Sequence, residues 1–336
     1  MFASIVAVLA LLLCLLVPWM PAETYPAYAF LSLIVPFVVL INTLLLVFWL
    51  FLKRKIAFLL GLALVLWWLL LKPFVNFSGS SDSATLAGIK IMSFNTRNFN
   101  AYRQLPLKNA DSLILDFVSD KDPDIACFQE FYHGMKYSGK LAQYNHKFID
   151  YTHGESQKRV IQAIYSKYPI LAVSRIDFPK SSNSAIYADI KINKDTIRVY
   201  NLHLQSFNIV PDFDNIEKQK YRQILGKIKH AMKLQKKQVG IIRQHLAKSP
   251  YSTMIVGDFN ATQFSNAYHT LADGFSDSYF EAGKGFGRTY DLKGYPMRID
   301  YILADDTIEF LSHSNYDNRY SDHYPIMASF SLMGDK

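Results

Sequence analysis

The chain has 336 residues, with 36 Lys and Arg against 28 Asp and Glu, and only two cysteines. Only five of the charged side chains fall within residues 1–77, so an apolar segment of membrane type precedes a domain of ordinary soluble composition. Cys14 lies in the apolar segment and Cys127 in the domain, which excludes a disulfide within the domain and disfavours a zinc site built from cysteines.

The apolar segment contains three hydrophobic runs, at residues 2–17, 28–52 and 56–71. The second run is long enough to cross a bilayer, and the other two need flanking residues to reach about 20. A cleavable signal peptide would need a basic residue before the first run and a small-residue cleavage site after it, and neither is visible. We therefore predict a membrane segment at residues 1–77 with about three transmembrane helices, and two helices as the alternative.

The orientation of this segment follows from its one cationic loop. Lys53, Arg54 and Lys55 lie between the second and third runs, and short basic loops stay on the cytoplasmic side. With three spans, everything after residue 77 then lies on the extracytoplasmic side. We expect an integral membrane protein that is anchored in the lipid bilayer by its N-terminal helices. In a bacterium, this bilayer would be the inner membrane.

A polar, Ser-rich linker at residues 78–88 leads into a domain at residues 89–333. Alternating and apolar patterns predict strands near 89–95, 125–130, 161–165, 186–192, 196–204, 254–258, 277–279, 298–303, 308–311 and 326–332. Helical spacing of apolar residues is found at 111–119, 217–248 and 266–271. Residues 166–169 are expected to close the strand at 161–165. So many short strands interleaved with helices predict an α/β fold with two packed sheets and outer helices.

Polar side chains recur where these strands end. The three that offer oxygen ligands of the kind that Mg²⁺ or Mn²⁺ prefers are Asn95, Glu130 and Asp322. His203 and His323 are able to donate hydrogen bonds to phosphate oxygens. A metal at such a site polarises a phosphoryl oxygen, so the set predicts phosphate ester hydrolysis.

The stretch Gly257-Asp258-Phe259-Asn260 supplies the residues that are expected to act on the attacking nucleophile. Because side chains alternate along an extended chain, Asp258 and Asn260 are expected to point the same way, with Phe259 buried. Asp258 would orient and deprotonate the attacking water, and Asn260 would fix the nucleophile or the phosphate. Asp300 would hold His323 in one tautomer.

The order of these motifs resembles the endonuclease/exonuclease/phosphatase superfamily, which includes deoxyribonuclease I, abasic-site endonucleases, neutral sphingomyelinases and inositol phosphatases. The resemblance covers residues 89–332 and the layout is similar to bacterial membrane-anchored members. It implies a four-layer α/β sandwich with two central β-sheets. It also implies a residue set with Glu130 as the main Mg²⁺ ligand beside Asn95 and Asp322, His203 on the phosphate, Asp258 and Asn260 at the water, and Asp300 partnering His323 as general base or phosphate stabiliser.

One departure from the family pattern concerns His203. In the nuclease branch an extra acid near the third strand pairs with the matching histidine, whereas residues 160–165 here offer only Gln162. The resemblance therefore leaves the partner of His203 open.

The substrate also stays open at this stage. The expected partner is a phosphodiester in nucleic acid or in a phospholipid headgroup, and no protein partner is inferable. The basic helix at 217–248 is either a phosphate-binding ridge or a solvated outer face. A catalytically silent domain that binds a phosphorylated ligand on a membrane tether is the alternative function.

Overall fold

A computed structural model describes residues 1–20, 26–77, 88–132, 139–151, 160–207, 221–292 and 294–333. The chain divides into two compact units. The first comprises Met1–Phe74, Phe207–Lys236 and Thr262–Thr270, and the second Val75–Ser206, Lys237–Ala261 and Leu271–Lys336. The predicted linker at 78–88, apart from Gly88, and the first turn of the predicted basic helix, residues 217–220, lie outside the described residues.

The first unit contains the three apolar helices α1 (Phe2–Leu16), α2 (Pro26–Phe51) and α3 (Ile56–Leu70). In the described part of the chain, the segments Phe2–Trp19 and Leu31–Phe51 are long and apolar enough to cross a membrane, whereas Ile56–Leu70 is shorter. Two hydrogen bonds join α2 to α1, since Asn42 donates to the Ala7 carbonyl at 3.0 Å and Trp49 donates to the Ser4 hydroxyl at 2.8 Å. The three apolar runs thus form the three helices that the sequence predicts.

The second unit is built on two six-stranded mixed sheets. Sheet I has the order β15-β16-β2-β3-β5-β4 and sheet II the order β10-β14-β9-β8-β7-β6, while β1 pairs with β11 and β12 with β13. The strands are β1 Val75–Asn76, β2 Ile89–Asn95, β3 Ile125–Gln129, β4 His146–Ile149, β5 Ala163–Ser166, β6 Ile170–Asp177, β7 Ser184–Ile192, β8 Asp195–His203, β9 Ser252–Asp258, β10 Ser276–Asp277, β11 Gly285–Phe286, β12 Tyr290–Leu292, β13 Tyr295–Met297, β14 Asp300–Ala304, β15 Ile308–Asn315 and β16 Ile326–Leu332.

Four further helices are described: α4 Ala110–Lys121, α5 Tyr221–Leu246, α6 Asn266–Ala272 and α7 Ser278–Ala282. Side chains of both sheets form one core, in which Ile91 and Ile125 of sheet I join Ile186, Val199 and Val256 of sheet II. A second core lies where α4 packs on sheet I. The predicted α/β class, with two central sheets flanked by helices, is confirmed.

The strand pairing brings the polar strand ends together. Strands β2 and β3 are parallel, so Asn95 lies beside Gln129, the residue before Glu130. Strands β8 and β9 are also parallel, with His203 opposite Asp258. Strand β14 then runs antiparallel to β9 and starts at Asp300, opposite Asp258. The carboxyl ends of parallel strands in both sheets therefore supply the candidate site.

Some local predictions were wrong. Of the strand predicted at residues 277–279, only Asp277 lies in a strand, β10, because its carboxylate accepts the Tyr279 amide at 3.0 Å and caps α7, which begins at Ser278. Strand β5 ends at Ser166, in agreement with the expectation that residues 166–169 close it, and the chain then passes to β6 in the other sheet. The strands that were not predicted are β1, β4, β6, β11, β12 and β13. Cys14 and Cys127 are both buried and free.

Candidate active site

The Asp258 carboxylate lies at the centre of the polar cluster and is 1% exposed. Its Oδ1 accepts the backbone amide of Asn260 at 2.7 Å, and its Oδ2 accepts the side-chain amides of Asn95 at 3.0 Å and Asn260 at 3.2 Å. Burial opposes its charge, but His323 and His203 outweigh burial and hold the pKa of Asp258 below its ordinary value. Phe259 is fully buried, as the alternation predicts.

Gly257 allows β9 to approach β8 closely just before this carboxylate. Its φ is +134°, a value that residues with an L side chain rarely adopt. A Cβ atom there would lie 2.1 Å from the Leu202 carbonyl oxygen, which belongs to the backbone of the neighbouring strand. The glycine of the motif is therefore required by the sheet geometry that positions Asp258.

His323 bridges two carboxylates. Its Nδ1 lies 2.9 Å from Asp300 Oδ2 and its Nε2 lies 3.7 Å from Asp258 Oδ2. Burial disfavours the imidazolium, but Asp300 and Asp258 prevail and raise the pKa of His323 to about 10, while burial raises the pKa of Asp300 to about 6. The Thr289 hydroxyl accepts the backbone amide of Asp300 at 3.1 Å. The predicted pairing of Asp300 with His323 is present.

The partner of His203 is Asn183, a residue that the sequence analysis missed. His203 Nδ1 and Asn183 Oδ1 are 2.9 Å apart, and both side chains are 4% exposed. The other ring nitrogen, Nε2, lies 3.4 Å from Asp258 and 3.5 Å from Glu130. Burial lowers the pKa of His203, but hydrogen bonds and charge from Asp258 and Glu130 raise it overall to about 9. Asn183 stands just before β7 in a Ser-rich run that reads as an ordinary loop, so no local signal marked it.

Glu130 is the most accessible carboxylate of the cluster, with 28% of its side chain exposed. It follows β3 with φ +47°. Its Oε1 accepts from Asn95 at 3.3 Å and its Oε2 from Asn98 at 3.2 Å, another residue without a sequence signal. Burial opposes its charge, but His203 holds the pKa of Glu130 below its usual range.

Asp322 has a different neighbourhood from the other predicted metal ligands. Its carboxylate forms an ion pair with Arg97, and its Oδ1 accepts the Ser321 hydroxyl at 3.2 Å. A cavity of about 320 Å³ opens beside it, with Leu105, Arg319 and Tyr324 in its walls. The structure thus brings Asn95 and Glu130 together and places Asp322 in contact with Arg97.

Two groups of side chains offer metal ligands. Asp258, Asp300 and His323 present ligand atoms within 4.8 Å of one another, but His323 already neutralises both acids, and an imidazolium has no lone pair for a metal. Glu130 with Asn95 offers an ionised, partly open carboxylate next to a carboxamide, the oxygen donors that Mg²⁺ prefers. The second group fits a divalent cation better.

Comparison with known proteins agrees with this geometry. A family described as the endonuclease/exonuclease/phosphatase family matches residues 92–323, and a domain family of unknown function matches residues 1–74. Among proteins of curated function, none matches this chain in sequence.

Three solved structures illustrate the similarity of fold. An endonuclease/exonuclease/phosphatase from Bacteroides vulgatus is 17% identical, with TM-score 0.57 over 74% of this chain and 100% of that one. A humanized D. rerio TDP2 is 17% identical, with TM-score 0.56 over 73% and 99%. A mannosyl-6-phosphatase from Bacteroides thetaiotaomicron is 15% identical, with TM-score 0.52 over 73% and 100%. The resemblance predicted from the motifs is confirmed, and the chain belongs to the endonuclease/exonuclease/phosphatase family, whose members are phosphoester hydrolases.

Proposed function

We propose that this chain is a membrane-anchored, Mg²⁺-dependent hydrolase that cleaves a phosphodiester in extracytoplasmic nucleic acid or in a phospholipid headgroup. The observation that carries the proposal is the convergence of two imidazoles on Asp258. Nε2 of His203 and Nε2 of His323 lie 3.4 Å and 3.7 Å from the same Asp258 oxygen, and Nε2 of His203 also lies 3.5 Å from Glu130. Burying acids and imidazoles together costs desolvation free energy, and clusters of this kind are concentrated at functional sites.

Glu130 and Asn95 would hold the metal. When bound there, Mg²⁺ supplies Lewis-acid polarisation of a phosphoryl oxygen and screening of its charge. The hydrogen bond from Asn98 to Glu130 would keep the carboxylate oriented. Asp322 would contribute only after release from Arg97, so we assign it the weakest share of the metal set.

Asp258 and Asn260 would position the attacking water. The Asp258 carboxylate accepts hydrogen bonds from two side-chain amides, an arrangement that fixes its orientation. Asn260 has φ +48°, and its side-chain amide also reaches the Leu204 carbonyl at 3.0 Å, so its position is rigid as well. A water held between them would attack in line with the leaving oxygen, where positioning supplies much of the rate.

His203 and His323 would donate N–H groups to the non-bridging phosphate oxygens. Each ring has its second nitrogen anchored, in His203 by Asn183 and in His323 by Asp300. Such preorganised donors stabilise the charge that develops in the transition state.

The experiment is a substrate panel with the full chain purified in detergent. Plasmid DNA, RNA, phospholipid vesicles, a chromogenic phosphodiester and a phosphomonoester are assayed with Mg²⁺ and with EDTA. We expect Mg²⁺-dependent turnover of at least one diester, lost in Asp258→Ala and Glu130→Gln and kept in Asp306→Asn, an exposed acid in the turn after β14. Turnover of the monoester alone would overturn the diester assignment, and no metal-dependent turnover would overturn the hydrolase.

The alternative is a silent domain that binds a phosphorylated ligand. Asp258→Ala separates the two functions, because it should abolish turnover in a hydrolase and leave a pure binder's affinity nearly unchanged.

A further inference from the structure

Thr289 is hydrogen-bonded to both chain segments that carry the Asp300–His323 pair. It precedes β12 by one residue and is fully buried. Its backbone carbonyl accepts the amide of Tyr324, the residue after His323, at 2.7 Å. Its hydroxyl accepts the amide of Asp300 at 3.1 Å. A single residue therefore joins the segment of the acid to the segment of the imidazole.

The hydroxyl of Thr289 uses its full hydrogen-bonding capacity at the start of β14. A hydroxyl has two acceptor sites and one donor. The acceptor sites take the backbone amides of Ile299 at 2.9 Å and of Asp300 at 3.1 Å. Burial raises the pKa of Asp300 to about 6, and His323 and a hydrogen bond from the Thr289 side chain are among the groups that limit this rise. The one hydroxyl proton is therefore directed to the Asp300 carboxylate.

The backbone next to Thr289 also lies against His323. The Thr289 amide donates to the Met297 carbonyl at 2.8 Å, which continues the pairing of β12 with β13. The following residue, Tyr290, forms an isolated β-bridge with His323, and the centroids of their rings are 4.9 Å apart. Residues 289 and 290 therefore contact both members of the Asp300–His323 pair.

We propose that Thr289 is a positioning residue that holds Asp300 and His323 at hydrogen-bonding distance from each other. This inference rests on the proposed function, in which His323 donates an N–H group to a phosphate oxygen. A donor that is fixed before the reaction stabilises the transition state more than it stabilises the bound substrate. Loss of the hydroxyl should therefore lower kcat and leave KM nearly unchanged.

The test compares Thr289→Val with Thr289→Ser in the full chain purified in detergent. Valine has nearly the shape of threonine but no hydroxyl, whereas serine keeps the hydroxyl. The substrate is the diester that the panel identifies. We expect kcat to fall by about tenfold or more in Thr289→Val, because buried amides lose their acceptor and Asp300 loses a donor. In Thr289→Ser, kcat should recover.

Thr253→Val is the matched control. Thr253 is also a buried threonine, but it stands near the start of β9, whereas Asp258 ends that strand. Its hydroxyl donates to the Tyr251 carbonyl at 2.8 Å. We expect Thr253→Val to lose thermal stability, as Thr289→Val does, and to keep its kcat.

A second readout does not depend on turnover. His323 Nδ1 lies 2.9 Å from Asp300 Oδ2, and the N–H group between them should give a downfield proton resonance in the NMR spectrum. The resonance is assigned by its loss in His323→Asn. We expect Thr289→Val to shift or broaden it, and Thr289→Ser and Thr253→Val to leave it in place.

An unchanged resonance together with an unchanged kcat in Thr289→Val would overturn the proposal. Equal losses of kcat in Thr289→Val and Thr253→Val would also overturn it, because they would show a purely structural role. If Thr289→Val does not fold, Thr289→Cys takes its place in both measurements, since a thiol is only a weak donor and acceptor. Absence of metal-dependent turnover would overturn the proposed function, and the resonance would then still test Thr289 alone.

Discussion

Replacing Asn183 by Ala tests whether this residue positions His203. The change removes the acceptor 2.9 Å from Nδ1 and leaves a buried N–H without a partner, since both side chains are 4% exposed. A buried unsatisfied donor costs roughly 1–3 kcal/mol. If that whole cost appears in the transition state, kcat/KM falls by about 5- to 150-fold, because about 1.4 kcal/mol corresponds to tenfold.

The assay is kcat/KM on the diester that the panel identifies, together with the thermal midpoint of the full chain in detergent. Asn315→Ala is the matched control, because Asn315 Oδ1 likewise accepts from a buried histidine. That histidine is His313, whose Nε2 lies 3.1 Å away and outside the site. We expect both variants to lose thermal stability and only Asn183→Ala to lose activity. Asn183→Asp restores an acceptor and should recover most of the activity. Full kcat/KM in Asn183→Ala would refute the positioning role.

Three further predictions concern the same site. Gly257→Ala should destabilise the chain by more than about 3 kcal/mol and abolish activity, because a backbone clash and a strained φ combine. The control is Gly240→Ala, which has open space around the added Cβ and should stabilise α5 by about 0.5–1 kcal/mol. Thermal melts measure both effects. In EDTA, the thermal midpoint should fall as pH rises from about 6.5 to about 10, because the folded chain still holds the His323 proton in that window and the unfolded chain does not. His323→Asn should make the thermal midpoint less dependent on pH, and an unchanged pH dependence in this variant would contradict the prediction. Saturating Mg²⁺ should raise the thermal midpoint by the equivalent of about 2–4 kcal/mol, and Glu130→Gln should remove this rise. An equal rise in the unchanged chain and in Glu130→Gln would mean that the cation binds elsewhere.

The sequence was informative about the strand ends because their signal is local. A run of apolar residues followed by a polar side chain identifies Asn95, Glu130, His203 and Asp258 without reference to the rest of the chain. Alternation along a strand also predicts that Phe259 is buried. The same local patterns predict the apolar helices and the α/β class.

Pairs formed across long sequence distances were outside the reach of those patterns. Asn183 is 20 residues from His203 and lies in a run that reads as a loop. The contact of Arg97 with Asp322 joins opposite ends of the domain and depends on where two loops meet. Ser278 and Tyr279 were predicted to continue a strand, because the capping of α7 by Asp277 was not recognised.

The sequence by itself therefore determined which residues stand at strand ends, which segments are apolar, and that the charges of α5 have one sign. Only the tertiary structure decided that Asp258 is the shared centre, because parallel pairing of β8 with β9 and antiparallel pairing of β9 with β14 bring His203 and Asp300 to it. The physical reason is that periodicity and side-chain chemistry are properties of neighbouring residues, whereas strand order, burial and the resulting pKa shifts arise only when distant segments exclude water together.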